Sequence, residues 1–262
     1  MQMNKEDSWK KKYLKKLMID GEDKEALDIL LQNKPSKLFR FREGIIKNEK
    51  NEFCDICSLN SNTVWASSAC KFNDPFDSSL VLSYNYHADK KDKAAMNAFE
   101  KFKKLSDNVQ KHTYVTCYSE NIKSLSLWSY YANNHEGFCI EYDFNKLMDI
   151  APVFPVYYDN DLITMGEHSD NERSLWLYAL TKSKDWSHER EWRRMWSEDL
   201  TKPGKKGEFI ESIEPSAIYL GNRIEKNREL ENQLIHYAKS NNIELYKMYM
   251  DIGSYTLIPL KL

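Results

Sequence analysis

Glu189, Glu191 and Arg193 fall on alternate residues of "HEREWRRMW", residues 188–196. If this stretch is a strand, those three side chains leave one face, while Arg190, Trp192, Arg194 and Trp196 leave the other. Two carboxylates so placed repel each other unless a cation sits between them, and Arg193 can supply it. An exposed charged ladder would show the same alternation. Trp186, Trp192 and Trp196 argue that the strand is not simply solvated. A buried, ionised carboxylate can stabilise positive charge that develops on a substrate.

Other stretches could complete a site. "KLFRFR", 37–42, alternates basic and aromatic residues as a strand does, with Lys37, Phe39 and Phe41 on one face and Leu38, Arg40 and Arg42 on the other. Arg40 and Arg42 would suit a diphosphate, which a guanidinium grips with two parallel bonds. "FNDPFD", 72–77, reads as a rigid turn. Asp74 before Pro75 is forced extended, Asn73 can close an Asx turn, and Asp77 can cap the element after the turn. Phe72 and Phe76 would pin this turn to the core, so that Asn73 or Asp74 projects into a cleft beside "CYSE", which carries Tyr118 and Ser119. In "LWSYYANNHEG", Trp128 and Tyr131 can stack on a flat ring. His135 either joins the site or interacts with the end of the preceding helix.

The chain of 262 residues has 41% hydrophobic and 13% aromatic content, enough for a sizeable core in one large domain or two small ones. Its 38 basic and 40 acidic residues give a net charge of -2, which provides no global field for a polyanion. Five cysteines, an odd number, and no signal peptide point to a reducing cytoplasm. Cys54 and Cys57 form a lone Cys-x-x-Cys without the second pair that zinc would require. No apolar run approaches a membrane span.

These residues must be positioned by alternating elements. Residues 1–34 read as a helical hairpin appended to a body over 37–262, broken at Asp20–Gly21 and ended by Pro35. Strands are expected at 37–42, near "TVWASSACKF", at 113–120, in "FCIEYDF" and "VFPVYYD", at 188–196, in "SAIYLGNRI" and twice near the C-terminus. Helices are expected at 89–111, at 125–132 behind an N-cap at Ser124, at 171–184 and at 226–240. The fold class is therefore α+β, with a mixed or antiparallel sheet that could be split, inserted helices and the N-terminal hairpin.

From Lys37 onward the stretches "LFRFR", "FNDPFD", "CYSE…LWSYYANNHEGFCIEYD", "K…DWSHEREWR" and "AIYLGN" resemble, in order, the domain of unknown function 2971 family. That resemblance supplies no activity. The Glu-x-Glu resembles that of arginine-modifying mono-ADP-ribosyltransferases. This second likeness implies a split sheet, an Arg or His near the first strand on the ribose and phosphates, a Ser strand beside the nicotinamide with aromatics stacked nearby, and a late Glu on the ribose 2′-hydroxyl. The order here is similar: Arg40 or Arg42, then Ser119, then Glu189 or Glu191. The usual Ser-Thr-Ser is missing, and only Ser119 stands in its place. The expectation is an NAD-using ADP-ribosyltransferase-like or NAD-cleaving effector, a toxin or antiphage defence protein by type of activity. Glu191 is the expected catalytic carboxylate and Glu189 its partner on the incoming acceptor, a protein or nucleic acid. NAD is the substrate, and no metal and no membrane partner are expected. Two alternatives stay open. One is a metal-dependent nucleotide or nucleic-acid hydrolase using Asp74, Asp77, Glu120, His135 and Glu141. The other is a binding module with an aromatic groove.

Overall fold

The structure, a computed structural model, describes residues 5–79, 81–82, 93–161, 164–165, 173 and 176–262. Helix α1 (Lys5–Leu14) runs into a π-helical turn (Lys15–Asp20), and α2 (Asp23–Asn33) completes the hairpin. After the hairpin come strand β1 (Lys37–Arg42), helix α3 (Cys54–Asn60) and strand β2 (Thr63–Ser68). They lead to β3 (Val81–Leu82), α4 (Lys93–His112), β4 (Thr113–Ser119), α5 (Leu125–Tyr131), β5 (Phe138–Asp143) and α6 (Phe144–Ile150). The short strands β6 (Phe154–Pro155), β7 (Tyr157–Asp159) and β8 (Thr164–Met165) precede α7 (Trp176–Ala179) and β9 (Thr181–Ser183). The chain closes with β10 (Glu191–Ser197), β11 (Gly207–Glu211), β12 (Ala217–Leu220), α8 (Arg228–Ser240), β13 (Glu244–Met250) and β14 (Leu257–Lys261). The class is α+β, with a mixed and mostly antiparallel sheet. No helix among the described residues is long and apolar enough to cross a membrane.

The main sheet forks at β4. One edge of β4 pairs along its whole length with β10, from Thr113↔Ser197 to Ser119↔Glu191. The other edge is shared: β2 takes Tyr114 and Val115, and β1 takes Ser119. From there one branch continues to β11 and the other through β5, β12 and β13 to β14. Arg40 sits at the fork and donates to the carbonyls of Trp65 (2.8 Å) and Cys117 (3.3 Å), which satisfies peptide oxygens where the strands part.

Along β1, β5 and β12 the alternation of side chains separates two cores. Leu38, Phe138, Ile140 and Ile218 face the larger one, with α3, α6 and α8. Phe39, Phe41, Cys139 and Tyr219 face a smaller one beneath α5. The N-terminal hairpin belongs to the larger core: Tyr13, Leu14, Met18, Ala26 and Leu30 are buried in it, and Trp9 lies 6.1 Å from Trp192. Ser124 caps α5 through Leu127 N–H, as its sequence position predicts.

Several expected bounds shift. The strand expected at 188–196 begins only at Glu191. Glu189 ends a 3-10 turn (Lys184–Glu189), and Arg190 adopts a left-handed φ of 45° between them. The helix expected at 171–184 is helical at Trp176–Ala179, after which Thr181–Ser183 pairs as a strand with β7. "VFPVYYD" is two strands with different partners, β10 and β9. Residues 89–92 of the expected charged helix, and 171–172 and 174–175, lie outside the described residues.

Candidate functional site

The turn "FNDPFD" delivers an acid into the molecule. Asp74 Oδ1, not Asn73, accepts the N–H of Phe76 at 2.9 Å and closes the Asx turn. Asp77 does not serve as a helix cap. It is buried, 3% exposed, and receives both terminal nitrogens of Arg193 at 2.7 and 2.6 Å. Phe72 lies against the same guanidinium, its ring centre 5.2 Å from Cζ. Phe76 is 64% exposed and pins nothing.

Arg193 is fully buried, and the N–H groups of its guanidinium all find acceptors. Nε and Nη2 grip Glu191 at 2.8 and 2.9 Å, Nη1 and Nη2 grip Asp77, and Nη1 also reaches the Ala179 carbonyl at 2.7 Å. Lys182, on β9, joins from the other side. Its Nζ lies 2.7 Å from Glu189, 3.3 Å from Glu191 and 3.6 Å from Asp77, over the ring of Trp186. Three carboxylates and two cations thus share one buried cluster, each residue under a tenth exposed. Burial pulls the Glu191 carboxyl up, but the charges of Arg193 and Lys182 prevail and hold it down at about 2. Burial pulls the Lys182 ammonium down, and Glu191, Glu189 and Asp77 more than reverse it. Burial pushes the neighbouring Cys117 thiol up, and the Glu191 charge adds to this.

Glu189 reaches the cluster from its turn, which is tied down on two sides. Ser119 Oγ donates to the Glu189 carbonyl at 2.6 Å, and Tyr131 OH on α5 donates to Glu189 Oε1 at 2.8 Å. At the start of β10, Glu191 N–H donates to Tyr158 OH at 2.8 Å. A carboxylate offers about four acceptor positions. Among the described residues, Glu191 receives Arg193 twice and Lys182 once, whereas Glu189 receives Tyr131 and Lys182. The two are therefore unequal: Glu191 is enclosed, and Glu189 keeps accepting capacity.

The cluster lines a cavity of about 420 Å³. Arg40, Arg42, Asn73, Tyr118, Ser119 and Tyr131 line it together with Glu189 and Glu191, although they are distant in sequence. Phe39, Phe41, Trp65 and Phe72 supply further aromatic wall. Arg42 is held by Asp55 at 2.6 Å. The guanidinium of Arg40 is buried at the fork, and burial, then Arg42, lower its pKa. Among the described lining residues, Glu43 and Lys71 are exposed charges of opposite sign.

Four expected site residues do other work. Trp128 is fully buried, donates to the Ile122 carbonyl at 2.7 Å and packs edge-on against Phe41, so no ligand ring can stack on it. His135 stacks on Trp128 with Nε2 3.3 Å from Ser129 Oγ, away from the cavity. Tyr118 lines the cavity, yet its ring is buried edge-on to Tyr142 and its hydroxyl has no partner among the described residues. Asp74 lines a smaller neighbouring cavity of about 260 Å³, which shares Asp77 and Lys182 with the first.

The acids of the hydrolase alternative are dispersed. Glu120 accepts from Trp192 Nε1, Glu141 is held by Tyr219 and Lys37, and Asp77 belongs to Arg193. Among the described residues no group of three or more His, Cys, Asp or Glu is placed to hold a metal ion. Lys182 is the residue that sequence reasoning missed. Its signal was the Lys ahead of "DWSHEREWR", hidden because the segment reads as helical. As a strand residue, Lys182 is turned into the cluster.

The fold and site together define an α+β protein with a forked sheet and a buried charge cluster in the wall of an aromatic cleft. Residues 127–194 match the family described as "Protein of unknown function (DUF2971)". The match runs from α5 into β10 and spans Tyr131, Lys182, Glu189, Glu191 and Arg193. No curated protein and no solved structure matches the chain.

Proposed function

We propose that the cleft binds NAD or a related nucleotide and breaks its N-glycosidic bond, as an ADP-ribosyltransferase-like or NAD-cleaving effector does. The observation that carries this is the buried cluster: a pair of carboxylates bridged by Lys182 in the lining of a cavity with aromatic walls. Cleaving the bond from ribose to nicotinamide leaves positive charge on the sugar, and a preorganised carboxylate in a water-poor site stabilises it. Glu189 is the carboxylate with acceptor capacity left for the ribose. Glu191 is the positioning residue that holds Lys182 and Arg193 in place. Arg40 uses two of its five N–H groups on backbone carbonyls, and the remainder, with Lys71, would meet the phosphates. Tyr131 and the phenylalanines would pack on the ring. The acceptor would be a protein, a nucleic acid or water, and such an activity in the cytoplasm fits a toxin or antiphage defence role.

The test is incubation of the purified chain with NAD and candidate acceptors, reading released nicotinamide and mass added to the acceptor. Glu189→Gln should lower release by roughly a hundredfold or more while the protein still melts cooperatively. If wild type releases no nicotinamide with any acceptor, the reading fails. A binding module then becomes the better account, because mutual saturation of Glu191 and Arg193 is also what a purely structural cluster needs.

A further inference from the structure

The outermost two strands of the main sheet turn an apolar face to solvent. Among the described residues β14 pairs only with β13, and residues opposite each other across a strand pair share a face. Leu245, Lys247 and Tyr249 therefore lie on the same side as Leu262, Leu260 and Ile258. This is the side of the larger core, where Ile218, Leu220 and Leu245 are buried with the apolar residues of α8. Farther out that cover ends. Leu260 is 52% and Ile258 40% exposed, Tyr249 is exposed as well, and Ile252 and Tyr255 stand fully exposed at the turn between the strands. An antiparallel edge that faces water normally carries polar residues on its wet side. Here the charge on that side of the two strands is Lys247, which is bonded to Glu225 at 3.0 Å and lies over the Tyr249 ring.

We propose that this face packs on the same face of a second copy of the chain, sheet against sheet about a twofold axis. Charge favours that occupant. A face whose lysine is already neutralised offers nothing to a polyanion or an acidic peptide, whereas a twofold contact sets a patch against its own copy and needs it free of unpaired like charge. The free edge of β14 points the same way. Leu262 N–H donates to Leu245 O at 2.9 Å and Asp251 N–H to Thr256 O at 3.0 Å, so Leu257, Pro259 and Lys261 turn their main chain outward. Proline has no N–H to give, so an incoming strand cannot extend the sheet without a gap, and the face is left as the contact. The area fits too. Tyr249, Ile252, Tyr255, Ile258 and Leu260 expose on the order of 600 Å², the greater part of the roughly 800 Å² that each partner gives to a standard interface. The residues that line the 420 Å³ cavity include none from β13 or β14, so both clefts stay open in the dimer.

Sedimentation equilibrium of the full chain is the test. Wild type is expected to be dimeric at about 10 µM, because interfaces of standard size bind in the micromolar range or tighter. Leu260→Lys sets two like charges across the twofold and should weaken the dimer at least about a hundredfold. Leu260 is half exposed, so the monomer should keep its fold, which a melting curve checks. Met250→Lys is the control: Met250 is exposed on the opposite face of the same strand pair, and its dimer should match that of wild type. A wild type that is monomeric at every concentration reached overturns the proposal. So does a dimer that Leu260→Lys leaves intact, or one that Met250→Lys breaks to the same extent. A monomeric wild type that sediments with neutral phosphatidylcholine vesicles overturns it as well and gives the face to a lipid surface.

Discussion

Two polar corners of this molecule look alike in the sequence and have opposite construction. In the cluster at Asp77, Lys182, Glu189, Glu191 and Arg193, side chains from three separate segments converge and satisfy one another. In the corner formed by "NNHEG" and "LGN", the backbone makes the connections. Asn133, Asn134 and His135 all take positive φ, His135 O accepts from Arg223 N–H at 2.9 Å, and Gly137 O accepts from Gly221 N–H at 2.9 Å. Gly137 is needed for closeness, not for a left-handed exit: a Cβ there would stand 2.2 Å from the Arg42 carbonyl, and one at Gly221 would stand 2.1 Å from that of His135. Conspicuous polar residues thus mark a site only when their side chains meet across segments. Where their main chains meet, they mark a joint.

The comparison breaks most visibly if the cluster tolerates loss of a partner. Asp77→Ala removes one of the two carboxylates that hold the fully buried Arg193 and breaks a two-bond grip on its terminal nitrogens, and should cost about 3–5 kcal/mol of stability in denaturant unfolding. A cost within the range of ordinary surface changes would mean the cluster is not the pinned structure described. Acid should weaken the same region. Glu191 has an ordinary value of 4.5 and is held at about 2 in the fold, so its contribution is complete above about pH 4.5 and is lost as pH falls toward 2. Unfolding measured from pH 6 to pH 2 should be flatter in Glu191→Gln, which is also less stable at neutral pH.

The joint should respond to volume and not to charge. Gly221→Ala places a methyl against a peptide carbonyl, and the backbone must move, at about 1–3 kcal/mol. Its nicotinamide release should stay at wild-type level, which the assay with NAD can check. A loss of release there would merge the two corners into one functional unit. The smallest change should come from Phe76→Ser. Its ring is 64% exposed, so its stability should stay within about 0.5 kcal/mol of wild type. A larger cost would mean that the turn depends on that ring after all.

The sequence by itself determined the elements whose signals are local. Ser124 as a helix cap, the alternation of "KLFRFR", the strand at 113–119 and the break at Asp20–Gly21 all arise from short-range capping and periodicity. It also pointed to Glu189, Glu191, Asn73, Ser119 and Tyr131, because acids and hydroxyls beside aromatics fit neither core nor solvent, and all five line one cavity. Tertiary structure decided the rest. Lys182 reads as a helix residue because apolar spacing over 175–179 is ambiguous in so short a segment, and only pairing with β7 makes it a strand residue facing the acids. Trp128 and His135 carry the same chemistry as ligand-stacking residues, and whether an aromatic ring meets a ligand or the core depends on which element covers it. The fork between β1 and β2 appears only in the strand pairing, and there Arg40 commits two of its five N–H groups to a bridge across two carbonyls. The inequality of Glu189 and Glu191 has the same origin: neighbouring acids of identical type differ because their hydrogen-bond partners come from β9, β10 and α5, which only the folded chain brings together.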